Sequence, residues 1–394
     1  MGNSDLGHAG DRHEARRASL ADPSGTVVSA PASPVEPAHA RNRLTGRGPS
    51  AVVHVALAVA SFSLVAAGIE RLTPWPVEDG LRAKVEYFLA HRDEFDTLYL
   101  GSSLTFRGVI PPLADAQLGG GRTSFNLGVA GMNFYERGYL VDEVLATRPA
   151  RLQMVVMEAM STDPQVLFEA DGLDEREVHW HSWKETARVL EGLRSADLPW
   201  RQELSLAWMH VEMALRKHTS YARGFAIARA LIGDEEQLYD YLEPADLEVQ
   251  RGYQDSGAGH NDIEREARQN FLAQIPDYAK TLRAMDAANG APSRFTPSQL
   301  ELVLGQHEQV QSLGVEVVCL VLPMARSAPE FLRAHEDGQL PLLIAFNSPN
   351  TYPDLYRVDQ RWDRAHLNRR GAEILSRLLA TELARLREPV RVPR

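Results

Sequence analysis

The sequence predicts an α/β protein with a parallel sheet, preceded by one membrane-spanning helix. Three observations carry that expectation. Short apolar runs closed by Gly or Pro recur along the chain, and helical patterns separate them. A 19-residue stretch without Asp, Glu, Lys or Arg, Ala51–Ile69, stands ahead of the first run. Buried parallel strands read as brief apolar runs rather than alternating ones, and strands that alternate with helices build a parallel sheet covered on both faces.

Residues 1–50 are rich in Ala, Ser, Pro, Gly and Arg without sustained periodicity, so they are expected to form a disordered tail. Ala51–Ile69, broken only by His54, Ser61 and Ser63, would make a helix ~28 Å long, close to the thickness of a bilayer core. Arg41, Arg43 and Arg47 precede it with no acid among them, which places the tail in the cytoplasm and everything after the helix outside it. Trp75 stands where an interfacial anchor belongs. A cleaved signal peptide is the competing reading, since Val65-Ala66-Ala67 resembles a cleavage site, although the leader is long for one. Residues 70–90 are then a juxtamembrane segment and 91–394 the folded domain.

The first strand is expected at Thr97–Leu100, running into Gly101-Ser102-Ser103. Ser124–Leu127 is the second, ending at Gly128 and Gly131. Gln153–Glu158 is the third, Val315–Leu322 the fourth, and Leu342–Phe346 a fifth. Phe134–Thr147 and Pro297–Leu313 carry helical patterns between them. The interval Pro164 to about Phe295 differs in character and reads as a helical insertion on the active-site side of the sheet. Within it, Arg201–His218 sets Leu204, Trp208, Val211 and Leu215 at helical spacing, and Ala222–Ile232 and Asp262–Ala288 are helical, the last interrupted by Pro276. Arg251–Asn261 is polar and Gly-rich, a loop in which Tyr253 and Gln254 are expected to be exposed. The chain closes with Asn368 as an N-cap, followed by Ile374, Leu375, Leu378, Leu379 and Leu383 on one helical face.

The formal charge is −11, and because the first fifty residues hold six Arg against five acids, the remainder carries −12. An acidic body argues against nucleic acid as the partner. Cys319 is the single cysteine, so no internal disulfide forms. Gly119–Gly121 lacks the Lys-Ser/Thr of a phosphate loop and reads as a turn. Glu177-Val-His179-Trp-His181 would align three ligands on a strand face but lacks a fourth, so no metal or other cofactor is expected.

The residues that carry chemistry are Ser103 and the pair Asp363 and His366. The carboxyl ends of strands are where open α/β sheets bind ligands, and Ser103 stands at such an end. Acyl chemistry needs a nucleophile, a base, a group that orients the base, and donors for the oxyanion. Ser103 is the candidate nucleophile, with Ser102 as its adjacent rival. His366 is the candidate base and Asp363 its orienting partner. The N–H groups of Ser103 and Gly131 are candidate oxyanion donors.

Leu-Gly-Ser-Ser-Leu-Thr, then Asn126-Leu-Gly-Val-Ala-Gly131, then Asp363-Arg-Ala-His366-Leu-Asn together resemble the SGNH/GDSL hydrolase superfamily. The resemblance covers about a third of the chain and implies a flavodoxin-like three-layer α/β/α sandwich. It matches Ser103 to the nucleophile, Gly131 to the second-block glycine, and Asp363 and His366 to the last block. The third block departs from the pattern. Where the family carries Gly-x-Asn-Asp, this chain reads Glu158-Ala-Met-Ser161-Thr162, so a hydroxyl of Thr162 or Ser161 would have to replace the Asn donor. With a single membrane helix, the motifs resemble the SGNH partners of membrane-bound O-acyltransferases, of the alginate O-acetylation and D-alanyl-lipoteichoic acid assembly types. That implies transfer or removal of acyl groups on a cell-envelope polysaccharide, on the outer side of the cytoplasmic membrane. Two alternatives follow from the same residues: an inactive SGNH fold serving as a glycan-binding or assembly subunit, and a secreted esterase or lipase.

Overall fold

The apolar runs form one five-stranded sheet: β1 (Thr97–Leu100), β2 (Ser124–Asn126), β3 (Met154–Glu158), β4 (Glu316–Val321) and β5 (Leu343–Ala345). All neighbours pair parallel, in the order β2-β1-β3-β4-β5. That order is the flavodoxin-like one. The structure, a computed structural model, describes residues 48–76, 80–119, 121–162, 175–196, 198–221, 223–232, 242–257 and 262–387. Of the tail expected at 1–50, residues 1–47 lie outside the described residues and 48–50 already belong to a helix, while the start of the insertion, 164–174, also lies outside them. Val55–Arg394 forms one unit, to which the following description applies, and Met1–His54 another.

The helices follow in chain order: α1 (Gly48–Leu72), α2 (Leu81–His91), α3 (Ser103–Gly108), α4 (Pro111–Leu118) and α5 (Phe134–Ala146). The long interval after β3 holds α6 (Glu175–Trp180), α7 (Trp183–Ser195), α8 (Trp200–Thr219), α9 (Gly224–Ile232), α10 (Pro244–Glu248), α11 (Asp262–Ala273) and α12 (Ile275–Asn289). Then come α13 (Pro297–Gln311), α14 (Pro329–Glu336) and α15 (Arg369–Arg387). Within α1, Ala51–Leu72 is long and apolar enough to cross a membrane.

Side chains alternate across each strand and so divide the core in two. Leu98, Leu100, Val155, Met157, Val317 and Cys319 pack with Val85 and Phe88 of α2, Leu140 and Val144 of α5, and Leu302 and Val310 of α13. On the opposite face Tyr99, Val156, Val318 and Leu320 pack with Leu375, Leu379 and Leu383 of α15. Each of those buried leucines contributes ~1.5–3 kcal/mol, so the final helix is a structural wall of the domain. Asn368 caps it as the sequence indicates, its Oδ1 accepting the Gly371 N–H at 3.1 Å.

Several expectations change. Helix α2 occupies the second half of the stretch read as juxtamembrane and runs one residue past it, yet its apolar face joins the sheet core. Asp262–Ala288 is interrupted as expected, α11 ending at Ala273 and α12 starting at Ile275 with Pro276 in its first turn. Glu177–His181 includes the end of helix α6, not a strand, so its three side chains fan out around an axis. His181 Nε2 instead meets His210 Nδ1 at 2.7 Å, and no metal-binding group of His, Cys, Asp or Glu exists among the described residues. Tyr253 and Gln254 are buried, not exposed. The reason is the chain on either side: Arg251 O accepts the Asn126 N–H at 2.8 Å, and a Cβ on Gly252 would stand 2.2 Å from Asn126 O. This polar loop is thus laid against the end of β2.

The strand order reverses between β1 and β3, and ligands bind at such a switch point. Gly101 closes β1 there. A Cβ at this position would lie 2.2 Å from Thr105 Oγ1 and 2.3 Å from Glu158 Oε2. Gly101→Ala is therefore expected to cost ~1–3 kcal/mol, measured by denaturant unfolding of the detergent-solubilised chain. A loss below a few tenths of a kcal/mol would show that the turn has room to spare.

Candidate active site

β1 ends and α3 begins within two residues, and this sharp turn presents the two serines differently. Ser102 is the N-cap of α3, its side chain accepting the Leu104 N–H at 3.3 Å. Its own N–H and hydroxyl both donate to the Glu158 carboxylate, at 2.8 and 2.7 Å. Thr105 Oγ1 donates to the same carboxylate at 2.7 Å. Ser102 is consequently tied to the frame. Ser103, the first residue of α3, is not: its Oγ lies 2.8 Å from His366 Nε2. Of the two adjacent serines, Ser103 is the one that meets the histidine.

Glu158 was not singled out from sequence, and it organises the Ser102–Thr105 turn. It ends β3 in a strand buried along its whole length, which was the available signal: a carboxylate in that position requires donors. Three come from the Ser102–Thr105 turn, and Arg137 donates to the Glu158 carbonyl. Charge-assisted bonds of this kind are roughly twice as strong as neutral ones, so the start of α3 is held rigidly against β3.

His366 and Asp363 sit on one tight turn ahead of α15. His366 Nδ1 meets Asp363 Oδ2 at 2.8 Å, and Asp363 Oδ1 accepts the Ala365 and His366 N–H groups, both at 2.7 Å. Burial acts to raise the Asp363 pKa, but these bonds from His366 and Ala365 outweigh it and hold the group lowered to about 2. It is thus ionised throughout the range in which a histidine titrates.

The turn itself is built around Arg361, a residue with no solvent exposure. Its five guanidinium donors reach five carbonyls: Asp363 O at 3.1 Å, Pro323 O at 2.8 Å, Leu355 O at 3.0 Å, Arg364 O at 2.8 Å and Ala365 O at 2.9 Å. No other side chain has the donors to do this. Arg268 of α11 adds bonds to the carbonyls of Arg361 and Trp362 at 2.7 and 2.9 Å, so the insertion braces the same turn.

A cavity of about 240 Å³ opens over the dyad, lined by Ser103, Arg107, Trp362 and His366 together with Ser256 and Ala267 from the insertion. Arg107 lies one helical turn after Ser103, which brings its cationic side chain to the same wall. Ala130 also lines this cavity, and Gly131 follows it in the left-handed region at φ 69°. Among the described residues neither the Ser103 nor the Gly131 N–H has an acceptor, which leaves both as donors for an incoming oxygen. Thr162 lines a neighbouring cavity that it shares with Ser161, Leu104 and Glu158, and its carbonyl accepts the Tyr135 hydroxyl at 3.1 Å. The structure therefore gathers Ser103, Asp363 and His366, brings Ala130, the neighbour of Gly131, to the same cavity, and leaves Thr162 off it.

Compared with known proteins, the chain matches no protein-family model, and no curated protein matches it.

Two outcomes follow from this geometry. Arg361→Lys offers three donors for five carbonyls and leaves at least two unpaired, each costing ~1–3 kcal/mol. The variant is expected to melt earlier in a thermal scan and to lose reactivity at Ser103; unchanged melting would show the fan to be dispensable. Asp363 releases its proton near 3.8 when unfolded and at about 2 when folded. Its ionised form thus stabilises the fold by roughly 2 kcal/mol above pH 3.8, and this is lost as pH falls toward 2. The stability gap between wild type and Asp363→Asn, followed by urea unfolding, is expected to narrow over that window. A gap independent of pH would mean that the pair contributes through packing alone.

Proposed function

We propose that this chain is a membrane-anchored, extracytoplasmic SGNH-type serine enzyme, an acyltransferase or esterase acting on acyl esters of a cell-envelope polysaccharide. The observation that carries the reading is the relay from Ser103 Oγ through His366 to Asp363, with 2.8 Å at each step. It is the arrangement by which a serine hydroxyl becomes a nucleophile at neutral pH.

In this reading His366 Nε2 takes the Ser103 proton as Oγ attacks the acyl carbonyl. The tetrahedral oxyanion accepts from the Ser103 and Gly131 N–H groups. His366 then returns the proton to the departing alcohol, which leaves an acyl-Ser103 ester. In the second half a sugar hydroxyl or a water gives its proton to His366 and attacks the ester, freeing Ser103. Asp363 keeps the imidazole Nδ1 protonated and stabilises the imidazolium of each step. A cavity of about 240 Å³ suits a short acyl group such as acetyl. The apolar helix Ala51–Leu72 supports an anchor in the cytoplasmic membrane, with a membrane-bound O-acyltransferase as the donor partner in the transfer version.

A second reading has its own support. The end of β3 carries Glu158, bonded to Ser102 and Thr105, where the resembling family has an Asn oxyanion donor. Loss of such a donor costs ~10²–10³-fold in rate. A subunit that binds glycan or assembles with a membrane partner without turnover accommodates that loss.

Labelling of the full chain in membranes with a fluorophosphonate, followed by peptide mapping, separates the two. Modification of Ser103 is expected, absent in Ser103→Ala and slowed ~10²–10⁴-fold in His366→Ala. An unlabelled wild type, with a folded state verified by circular dichroism, would favour the binding subunit.

A further inference from the structure

Away from the candidate site, α8 carries a broad exposed apolar surface. Trp200, Leu204 and Trp208 are 67%, 63% and 61% exposed, and with Leu190, Leu193 and Val211 they line an open groove of about 500 Å³. Trp183, at the start of the neighbouring α7, is another half-exposed indole. Residues 200, 204, 208, 211 and 215 fall within one stripe of a helix with ~3.6 residues per turn. A contiguous stripe of this kind is unusual on a soluble surface and marks a place where something binds.

The far end of the same helix says what that something is. His218 is five full turns beyond Trp200 at ~3.6 residues per turn, so it shares the face of the stripe. Its Nδ1 lies 3.3 Å from Glu70 Oε2, and Lys217 Nζ is 3.6 Å from Glu70 Oε1. Glu70 belongs to the last turn of the apolar helix, where a membrane-spanning segment leaves the bilayer. Trp183 stacks on His218 at 5.2 Å with an interplanar angle of 11°. The exit of the span thus meets α8 at the edge of the indole-bearing stripe, through His218 on that face and Lys217 beside it.

We infer that the α7–α8 pair is a membrane-surface element, with Trp200, Leu204 and Trp208 seated in the headgroup region of the bilayer beside the anchor. Indoles favour that region, where an apolar ring meets lipid and a polar N–H meets water. The Arg201 guanidinium over the Trp200 ring, at 5.3 Å, and Arg194 on the groove wall place cations at the level of lipid phosphates. A domain tethered at one point swivels freely, whereas one that also rests on α8 holds the Ser103 cavity at a fixed height above the lipid. The inference rests on the reading of α1 as a membrane anchor and is independent of the chemistry at Ser103.

The test uses the full chain in phosphatidylcholine nanodiscs, with and without headgroup-nitroxide phosphatidylcholine. The difference in fluorescence between wild type and the Trp200→Phe, Trp208→Phe double variant reports the two indoles. Nitroxide lipid is expected to quench that difference at least ~2-fold more than aqueous acrylamide does. A nitroxide probe at Leu204→Cys, an exposed position that tolerates change, is expected to show higher accessibility to oxygen than to a water-soluble nickel chelate. Quenching by acrylamide alone overturns the inference, because the stripe then faces water. Quenching by neither overturns it in favour of a protein cover, with a second copy checked by mass photometry. A chain that does not enter the discs overturns the anchor reading as well, whereas a chain that enters with unquenched indoles overturns this inference alone.

Discussion

One guanidinium sets the geometry on which the candidate site depends. Arg361 is fully buried and spends all five donors on backbone carbonyls drawn from three separate parts of the chain: the end of β4 at Pro323, the turn at Leu355, and the Asp363–Ala365 loop itself. Burial works against its charge and lowers its pKa, so the cation is sustained by those carbonyl dipoles in place of water. The aromatic faces of Tyr278 and Tyr356 lie within 6 Å and close the remaining sides. The dyad therefore stands on a scaffold formed by long-range contacts, even though its two members are three residues apart.

The turn that carries Ser103 depends on a second charged group used in the same way. Glu158 gathers the Ser102 N–H, the Ser102 hydroxyl and the Thr105 hydroxyl, and Gly101 is the only residue type that leaves space for it. A buried anion from β3 thus holds the serine turn, and a buried cation holds the histidine turn. Neither group faces the other across the cavity; each acts on backbone and hydroxyl groups behind the reacting atoms. The switch point between β1 and β3 brings the two devices to one end of the sheet, where the insertion adds Ser256 and Ala267 as walls.

How much of this was legible in the sequence follows from the range of the interactions. The five strands were, because a fully buried parallel strand reports itself as an apolar run with a Gly or Pro stop. Asp363 and His366 were, because an orienting pair on one turn has a fixed short spacing. Ser103 was the candidate from sequence, but what ties its rival Ser102 to the frame was not legible, since that partner is Glu158, 56 positions downstream. Arg361 was invisible for the same reason: its partners are carbonyls, which leave no mark on residue identity. Tyr253 and Gln254 misled because polarity and Gly content imply exposure, whereas this loop is laid against the end of β2 through backbone bonds. Helix α2 was hidden by a short pattern next to a stronger, wholly apolar one.

The separation of the two halves of the relay has a temporal meaning. Asp363 and His366 are neighbours in the chain, but Ser103 reaches them across 263 positions. The serine leaves the ribosome well before the histidine. A chain that is incomplete, or whose final helix has not docked on the sheet, holds a serine with ordinary alcohol reactivity. In the proposed reading, completion of the fold is therefore the event that arms the hydroxyl, because Ser103 meets His366 only once the turn ahead of α15 has closed on the sheet.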